Sequence, residues 1–233
     1  MNQTKFSHHR ATVFPVLVLA CASVAAIALV ITRASLSGHW RYLSLVWNLF
    51  LAWLPLVFAI AVCRNYRACP KLGWKLALPA GFWLLFFPNA PYIFTDLTHL
   101  NAWFHGHFWG DLTMILLVAL TGFLLGFLSL YLMQAVVADR FGRLASWLFI
   151  LAVAPLCGLG VYLGRFLRWN SWDIFVHPLG ITYDITQLAV HPFAHAGPLR
   201  FQAAFGMFLF FGYLMLYALT HLPPAQPNRE AMA

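Results

Sequence analysis

The sequence predicts an all-α fold, a polytopic membrane bundle of about six transmembrane helices, and three observations carry that prediction. Of its 233 residues, 62% are hydrophobic and 9% charged, and the mean hydropathy is +0.77. The apolar residues fall in runs of about 20, the length a helix needs to cross a hydrocarbon core about 30 Å thick. Those runs extend from Val13 to Ile31, Leu43 to Val62, Leu76 to Phe94, Leu112 to Val137, Leu144 to Leu167 and Leu199 to His221. Residues 1–12 and 223–233 remain as short tails on a single membrane domain of residues 13–222. The longest segment outside the runs, Arg168 to Pro198, is itself rich in Ile, Phe, Leu and Val, so no soluble domain is expected.

The first run follows Lys5, His8, His9 and Arg10, and Val18-Leu19-Ala20-Cys21 faintly resembles a cleavage box. The apolar stretch continues through Ala22 to Ile31, where a cleaved leader would give way to polar sequence, so an uncleaved anchor is expected. Nine Lys and Arg residues (Lys5, Arg10, Arg64, Arg67, Lys71, Lys75, Arg140, Arg143, Arg229) fall on the side that six spans assign to both termini. Five (Arg33, Arg41, Arg165, Arg168, Arg200) fall opposite. That excess orients both tails to the cytoplasm, and the segment from Thr95 to Gly110, with no Lys or Arg, faces out. The net charge of +8 is thus spent on span ends, which removes nucleic acid as a partner. Four cysteines without paired spacing indicate neither a disulfide framework nor a thiolate metal site.

The third run departs most from an ideal helix. Pro79 lies near its start and Pro88 and Pro91 interrupt its end, each removing a backbone donor and crowding the turn before it. A broken helix end is expected, and Asn89 between the two prolines either caps freed backbone groups or lines a ligand loop. In the fourth and fifth runs, Gly122-Phe123-Leu124-Leu125-Gly126 and Gly160-Val161-Tyr162-Leu163-Gly164 are small-xxx-small patterns. They are read as close packing within the chain rather than dimerisation, with Gly164 drawing the fifth helix tight just before Arg165. Between the fifth and sixth runs, Gly180 to Val190 spaces Ile181, Ile185 and Leu188 by four and three, with Asp184 and Gln187 off the stripe. This is the pattern of a short amphipathic helix in the interface, able to roof a nearby site. A re-entrant loop bounded by Pro178 and Pro192 fits the same residues.

Charge is costly beside lipid, so the knot Gly164-Arg165-Phe166-Leu167-Arg168-Trp169-Asn170-Ser171-Trp172-Asp173 marks a site. Arg165 and Arg168, three residues apart, would share one helical face and converge on a carboxylate or a phosphate. Asp173 and, from the facing loop, Asp96 are candidate partners. Two readings stay open. One is an arginine-aspartate network tying the outward loops together, with Trp169 and Trp172 as interfacial anchors. The other is capture of a lipid or lipid-linked phosphate headgroup by Arg165 and Arg168, with Asn89, Asn170 and Trp172 as further ligand-binding candidates and Asp96, Asp173 or His99 as candidate proton acceptors. His99, His105 and His107 in the outward loop are weak metal candidates, because their spacing fits no standard zinc pattern. No cofactor is indicated.

The stretches Phe87-Pro88-Asn89-Ala90-Pro91-Tyr92-Ile93-Phe94-Thr95-Asp96-Leu97 and Gly164 to Asp173, in this multi-span setting, resemble the bacterial membrane proteins grouped as domain of unknown function thirteen-sixty-one. The resemblance covers most of the chain. It implies a multi-pass protein of the bacterial inner membrane and brings no reaction, cofactor or partner. A structural or assembly role in the cell envelope is the first functional reading. The alternatives are an outward-facing enzyme or binder of lipid-linked phosphate, and a small-solute or ion transporter, which the lack of acidic residues near the middle of any span weakens.

Overall fold

The computed structural model describes residues 4–38, 40–69, 73–100, 108–191, 193–194 and 196–222, and every regular element among them is helical. In chain order these are α1 (Thr4–Ser37), a 3-10 turn (Trp40–Tyr42), α2 (Leu43–Ala68), α3 (Trp74–Phe86), α4 (Asn89–Tyr92) and a 3-10 stretch (Ile93–His99). There follow α5 (Phe108–Phe141), α6 (Arg143–Phe166), α7 (Asp173–Val176), α8 (Pro178–Val190) and α9 (Ala196–Thr220). Six apolar spans are long enough to cross a bilayer, and the third is assembled from α3, α4 and the 3-10 stretch. The fold is the polytopic helical bundle that hydropathy predicts.

Span ends differ from the sequence boundaries by a few residues where local chemistry decides. The helix α1 runs past Ile31 to Ser37, and Gly38, at φ +68°, then reverses the chain as glycine does after a helix end. Gly142, at φ +90°, is the single residue between α5 and α6, so the chain doubles back there with no loop.

α5 is the most buried span, and α1 and α9 are the most lipid-exposed. On α2 the buried residues Leu45, Leu49, Ala52, Leu56 and Ala59 recur at alternating steps of four and three, the stripe that faces a neighbouring helix. The first four meet Ile115, Val118, Ala119 and Leu125 of α5 and Ala26 and Val30 of α1 in one cluster, and Ala59 joins the next. A second cluster joins Trp83 and Phe87 to Ile150, Val153 and Cys157 of α6 and to Leu209 and Tyr213 of α9. Large apolar side chains such as Phe14, Val24, Phe50, Leu148 and Phe211 remain exposed on the outer faces, as lipid contact requires.

Both small-xxx-small patterns close on the broken third span. A Cβ on Gly122 would lie 2.6 Å from Cδ1 of Ile93, and one on Gly126 would lie 2.9 Å from Cβ of Ala90. From the other side, a Cβ on Gly160 would fall 2.4 Å from Cγ of Pro88. The segment Pro88–Ile93 is thus gripped between α5 and α6 at distances only glycine permits. Gly158 and Gly206 similarly admit α9, a Cβ on Gly158 meeting the Gln202 carbonyl oxygen at 2.5 Å.

Polar side chains bind the helices together inside the bundle. Trp83 donates from Nε1 to Ser129 Oγ at 3.2 Å, Trp53 to Ser23 Oγ at 3.1 Å, and the Tyr213 hydroxyl to Gln134 Oε1. Among the described residues no buried side-chain nitrogen or oxygen lacks a hydrogen-bond partner.

Candidate functional site

The site begins with the break that Pro88 and Pro91 impose. α3 stops at Phe86, and the chain continues as one α-turn and then as seven residues of 3-10 helix, longer than such runs usually persist. The backbone groups this leaves over are taken up locally. Asn89 donates from Nδ2 to the Phe86 carbonyl at 3.1 Å, Thr95 from its hydroxyl to the Tyr92 carbonyl at 2.6 Å, and Thr98 to the Thr95 carbonyl at 2.8 Å. Asn89 Nδ2 also reaches Ser171 Oγ at 2.9 Å, 82 residues along the chain. It is therefore both a cap and a bridge to the second motif.

Asp96 hangs from the 3-10 stretch, 4% exposed. It accepts from Asn48 Nδ2 at 2.8 Å and pairs with Arg165 Nη1 at 3.3 Å, while the other Arg165 nitrogen donates to Thr98 Oγ1. The two sequence clusters meet in this pair, which ties α2, the broken span and α6 at one end of the bundle. Asn48 was legible only as a lone amide in an apolar run, and sequence reasoning passed over it.

Arg168 behaves differently from its expected pairing with Arg165 on one helical face. α6 ends at Phe166, and Arg168 sits beyond it at φ +61°, the left-handed position that ordinarily goes to glycine. Trp169 N–H then bonds back to the Leu163 carbonyl at 3.1 Å and closes the helix end. Arg165 thus stands in the last turn of α6 and Arg168 beyond its end, so the two share no helical face, and Arg168 is exposed with no ion-pair or hydrogen-bond partner among the described residues.

Asp173 also departs from its expected role. Its carboxylate accepts from the Asn170 backbone N–H at 2.7 Å and from Asn170 Nδ2 at 3.2 Å, shaping the turn into α7 rather than pairing with an arginine. The nearer donors win, because they lie three residues away in the same turn. Asp184 of α8 accepts from Trp169 Nε1 at 2.8 Å, and a Cβ on Gly180 would lie 3.0 Å from the same indole. α8 is thus laid over Trp169 with Ile181 and Leu188 turned inward, the amphipathic helix that the spacing predicts.

These elements enclose a cleft of about 630 Å³. Its walls are Trp47 and Asn48 of α2, Pro88, Asn89 and Tyr92 of the broken span, the end of α6 and the loop from Arg168 to Trp172; Ile181 and Ile185 of α8 form the roof. Trp172 meets Trp47 edge to face at 6.4 Å between ring centres. The lining contains two arginines and no carboxylate. Four of the five residues first singled out as ligand-binding candidates (Arg165, Arg168, Asn170, Trp172) come from one motif, and Asn89 comes from the other. All five line this one cleft. The proton-acceptor candidates Asp96 and Asp173 stand outside its lining, with both oxygens of Asp96 and Oδ2 of Asp173 engaged as described. His105 and His107 lie outside the described residues, as does the side chain of His99. Among the described residues no three or more His, Cys, Asp or Glu side chains gather as a metal site.

A second ionic cluster, unforeseen from sequence, lies at the same end of the bundle. Asp111, fully buried at the start of α5, is gripped by both Nε and Nη2 of Arg33 from α1, the second bond at 3.1 Å, and accepts from the Tyr42 hydroxyl at 3.2 Å. The residues were visible as one cation ending a span and one anion starting another, but no spacing connects them.

A polytopic membrane bundle whose broken third span and frayed fifth span close a polar cleft at one end is the class of protein this geometry defines. The chain belongs to the family described as "Protein of unknown function (DUF1361)", which matches residues 47–217. No curated protein and no solved structure matches it. The match opens on Trp47, so every lining residue lies inside it, whereas α1, Arg33 and Tyr42 lie before it.

Proposed function

We propose that this protein is a multi-pass protein of a bacterial inner membrane, with both tails cytoplasmic and the cleft outward, that holds the phosphate of a membrane lipid or lipid-linked headgroup. The observation that carries the reading is the cationic lining: Arg168 has no partner among the described residues, and no carboxylate shares the wall with it. A guanidinium fork matches the oxygens of a phosphate, and such a bond is stronger than a neutral one. Tryptophans at the mouth and an amphipathic roof helix suit the headgroup depth of a bilayer. The charge asymmetry of the span ends supports the orientation. Because Asp96 and Asp173 stand outside the lining, the geometry favours binding over catalysis.

The reading is tested with purified protein in nanodiscs of phosphatidylcholine, adding phosphatidylmethanol, which carries one net negative charge and no headgroup hydroxyl. Phosphatidylmethanol should raise the unfolding temperature and be retained in native mass spectra. Arg168→Gln removes the guanidinium while leaving an L side chain of polar character on the same backbone, and should weaken retention by about 10- to 100-fold, the worth of one charge-assisted bond. Equal retention of phosphatidylmethanol and phosphatidylcholine, or retention indifferent to Arg168→Gln, would refute it.

A structural or assembly role has one specific observation in its favour, the Asp96 hub that draws Asn48 and Arg165 together. It predicts that Arg165→Ala lowers abundance while Arg168→Gln leaves every property unchanged.

A further inference from the structure

The amides of the cleft narrow the ligand further, on the premise that it is a phosphate. Asn48 Nδ2 faces the Asp96 carboxylate, Asn89 Nδ2 faces the Phe86 carbonyl, and Asn170 Nδ2 faces the Asp173 carboxylate. Each of those partners only accepts, so the orientation of all three amides is fixed with nitrogen toward the protein. Their Oδ1 atoms receive no donor among the described residues. Since no buried side-chain oxygen there lacks a partner, Oδ1 of the half-buried Asn48 and Asn89 is open, and Asn170 is itself exposed. All three residues line the cleft. Its wall therefore offers an unpaired cation in Arg168 and bare carbonyl acceptors beside it, and a bare phosphate can satisfy only the first.

The geometry points to a phosphate ester whose alcohol carries free hydroxyls, a polyol or sugar phosphate, as the ligand, with the phosphate at Arg168 and the hydroxyls donating to Oδ1 of Asn48, Asn89 and Asn170. The volume agrees: about 630 Å³ is well within the range of about 300–1,000 Å³ that encloses a ligand of drug size and far exceeds one phosphate group. A choline headgroup has no donor for these oxygens. An ethanolamine ammonium has donors but would enter a wall whose unpaired charge is Arg168 and which holds no carboxylate, so hydroxyls are the donors that fit both charge and valence.

The experiment measures retention of phosphatidylglycerol, phosphatidylinositol, phosphatidylmethanol and phosphatidylethanolamine by the full-length protein in phosphatidylcholine nanodiscs. Phosphatidylglycerol and phosphatidylinositol should each outlast phosphatidylmethanol, of the same net charge, by about 10-fold, as two neutral hydrogen bonds give. Asn170→Ala keeps the backbone bond to Asp173 and should cut that preference, read as the ratio to phosphatidylmethanol, by about 3-fold or more. Competition with soluble glycerol 3-phosphate decides the source of the same chemistry: displacement indicates a free solute, and persistence of the lipid indicates a lipid headgroup. Equal retention of phosphatidylglycerol, phosphatidylinositol and phosphatidylmethanol would overturn the hydroxyl assignment and leave the phosphate site standing. Preference for phosphatidylethanolamine over all three would overturn it as well. Loss of any preference for phosphatidylmethanol over phosphatidylcholine is the separate failure of the underlying reading.

Discussion

Gly160→Ala puts a single methyl group against the wall of the cleft. Its Cβ would fall 2.4 Å from Cγ and 2.8 Å from Cβ of Pro88. Aliphatic carbons rest at about 3.5–4.0 Å, so α6 and the proline must part by roughly 1 Å. The pyrrolidine ring is closed onto its own backbone and cannot swing aside as a flexible side chain would. Overpacking of this kind costs about 1–3 kcal/mol, while replacing glycine inside a helix returns about 0.5–1 kcal/mol, leaving a net loss of up to about 2.5 kcal/mol. For a chain of this size that is a fall of up to about 10 °C in unfolding temperature. The same displacement stretches the 2.9 Å bond between Asn89 and Ser171, so lipid retention should fall with it. Two controls share the chemistry without the clash. Gly81→Ala has nothing within 4 Å and should gain about 0.5–1 kcal/mol, and Gly164→Ala, 3.4 Å from the Tyr92 ring, should change little. Thermal unfolding of the three variants in one nanodisc lipid reads the difference. Gly160→Ala as stable as Gly81→Ala would refute the account of how the broken span is gripped.

Arg33→Ala strands the fully buried Asp111 carboxylate and should cost about 3–5 kcal/mol, seen as lost abundance and early unfolding, with partial recovery in Arg33→Ala/Asp111→Asn; an Arg33→Ala protein of normal stability would contradict it. Tyr213→Phe removes the donor to buried Gln134 and should cost about 1–3 kcal/mol, whereas Tyr66→Phe, which loses an exposed 2.7 Å bond to Asp139, should cost less than about 1 kcal/mol. Equal unfolding temperatures for the two would show that burial does not set the difference.

The bundle was legible because hydropathy reports a local quantity, the cost of each residue in lipid, and the six spans follow from it with no knowledge of contacts. The break at Pro88 and Pro91 was legible for a similar reason, since proline acts on its own turn. Pro79 shows the limit of that argument, as do Pro55 and Pro155: each lies within an unbroken helix, in α3, α2 and α6. The amphipathic roof was written in the spacing of Ile181 and Leu188. The end of α6 was not, because Arg168 takes a left-handed conformation with no glycine or asparagine to announce it, so the expected face shared with Arg165 does not form. Asn48 escaped notice as one polar residue in an apolar run, and Asp111, visible as a carboxylate at a span end, gave no sign of its partner, because each contact lies 48 or 78 residues away.

The bidentate grip of Arg33 on Asp111 imposes an order on biogenesis. At roughly 5–20 residues per second, the ribosome delivers the carboxylate about 4–16 s after the guanidinium. During that interval α1 is already a complete hydrophobic span while its cation has no counterion. Its aliphatic stem lets the charge remain among headgroups rather than enter hydrocarbon. Arrival of α5 then converts a loosely held leading helix into a latched one, so the first span is inserted early and secured late.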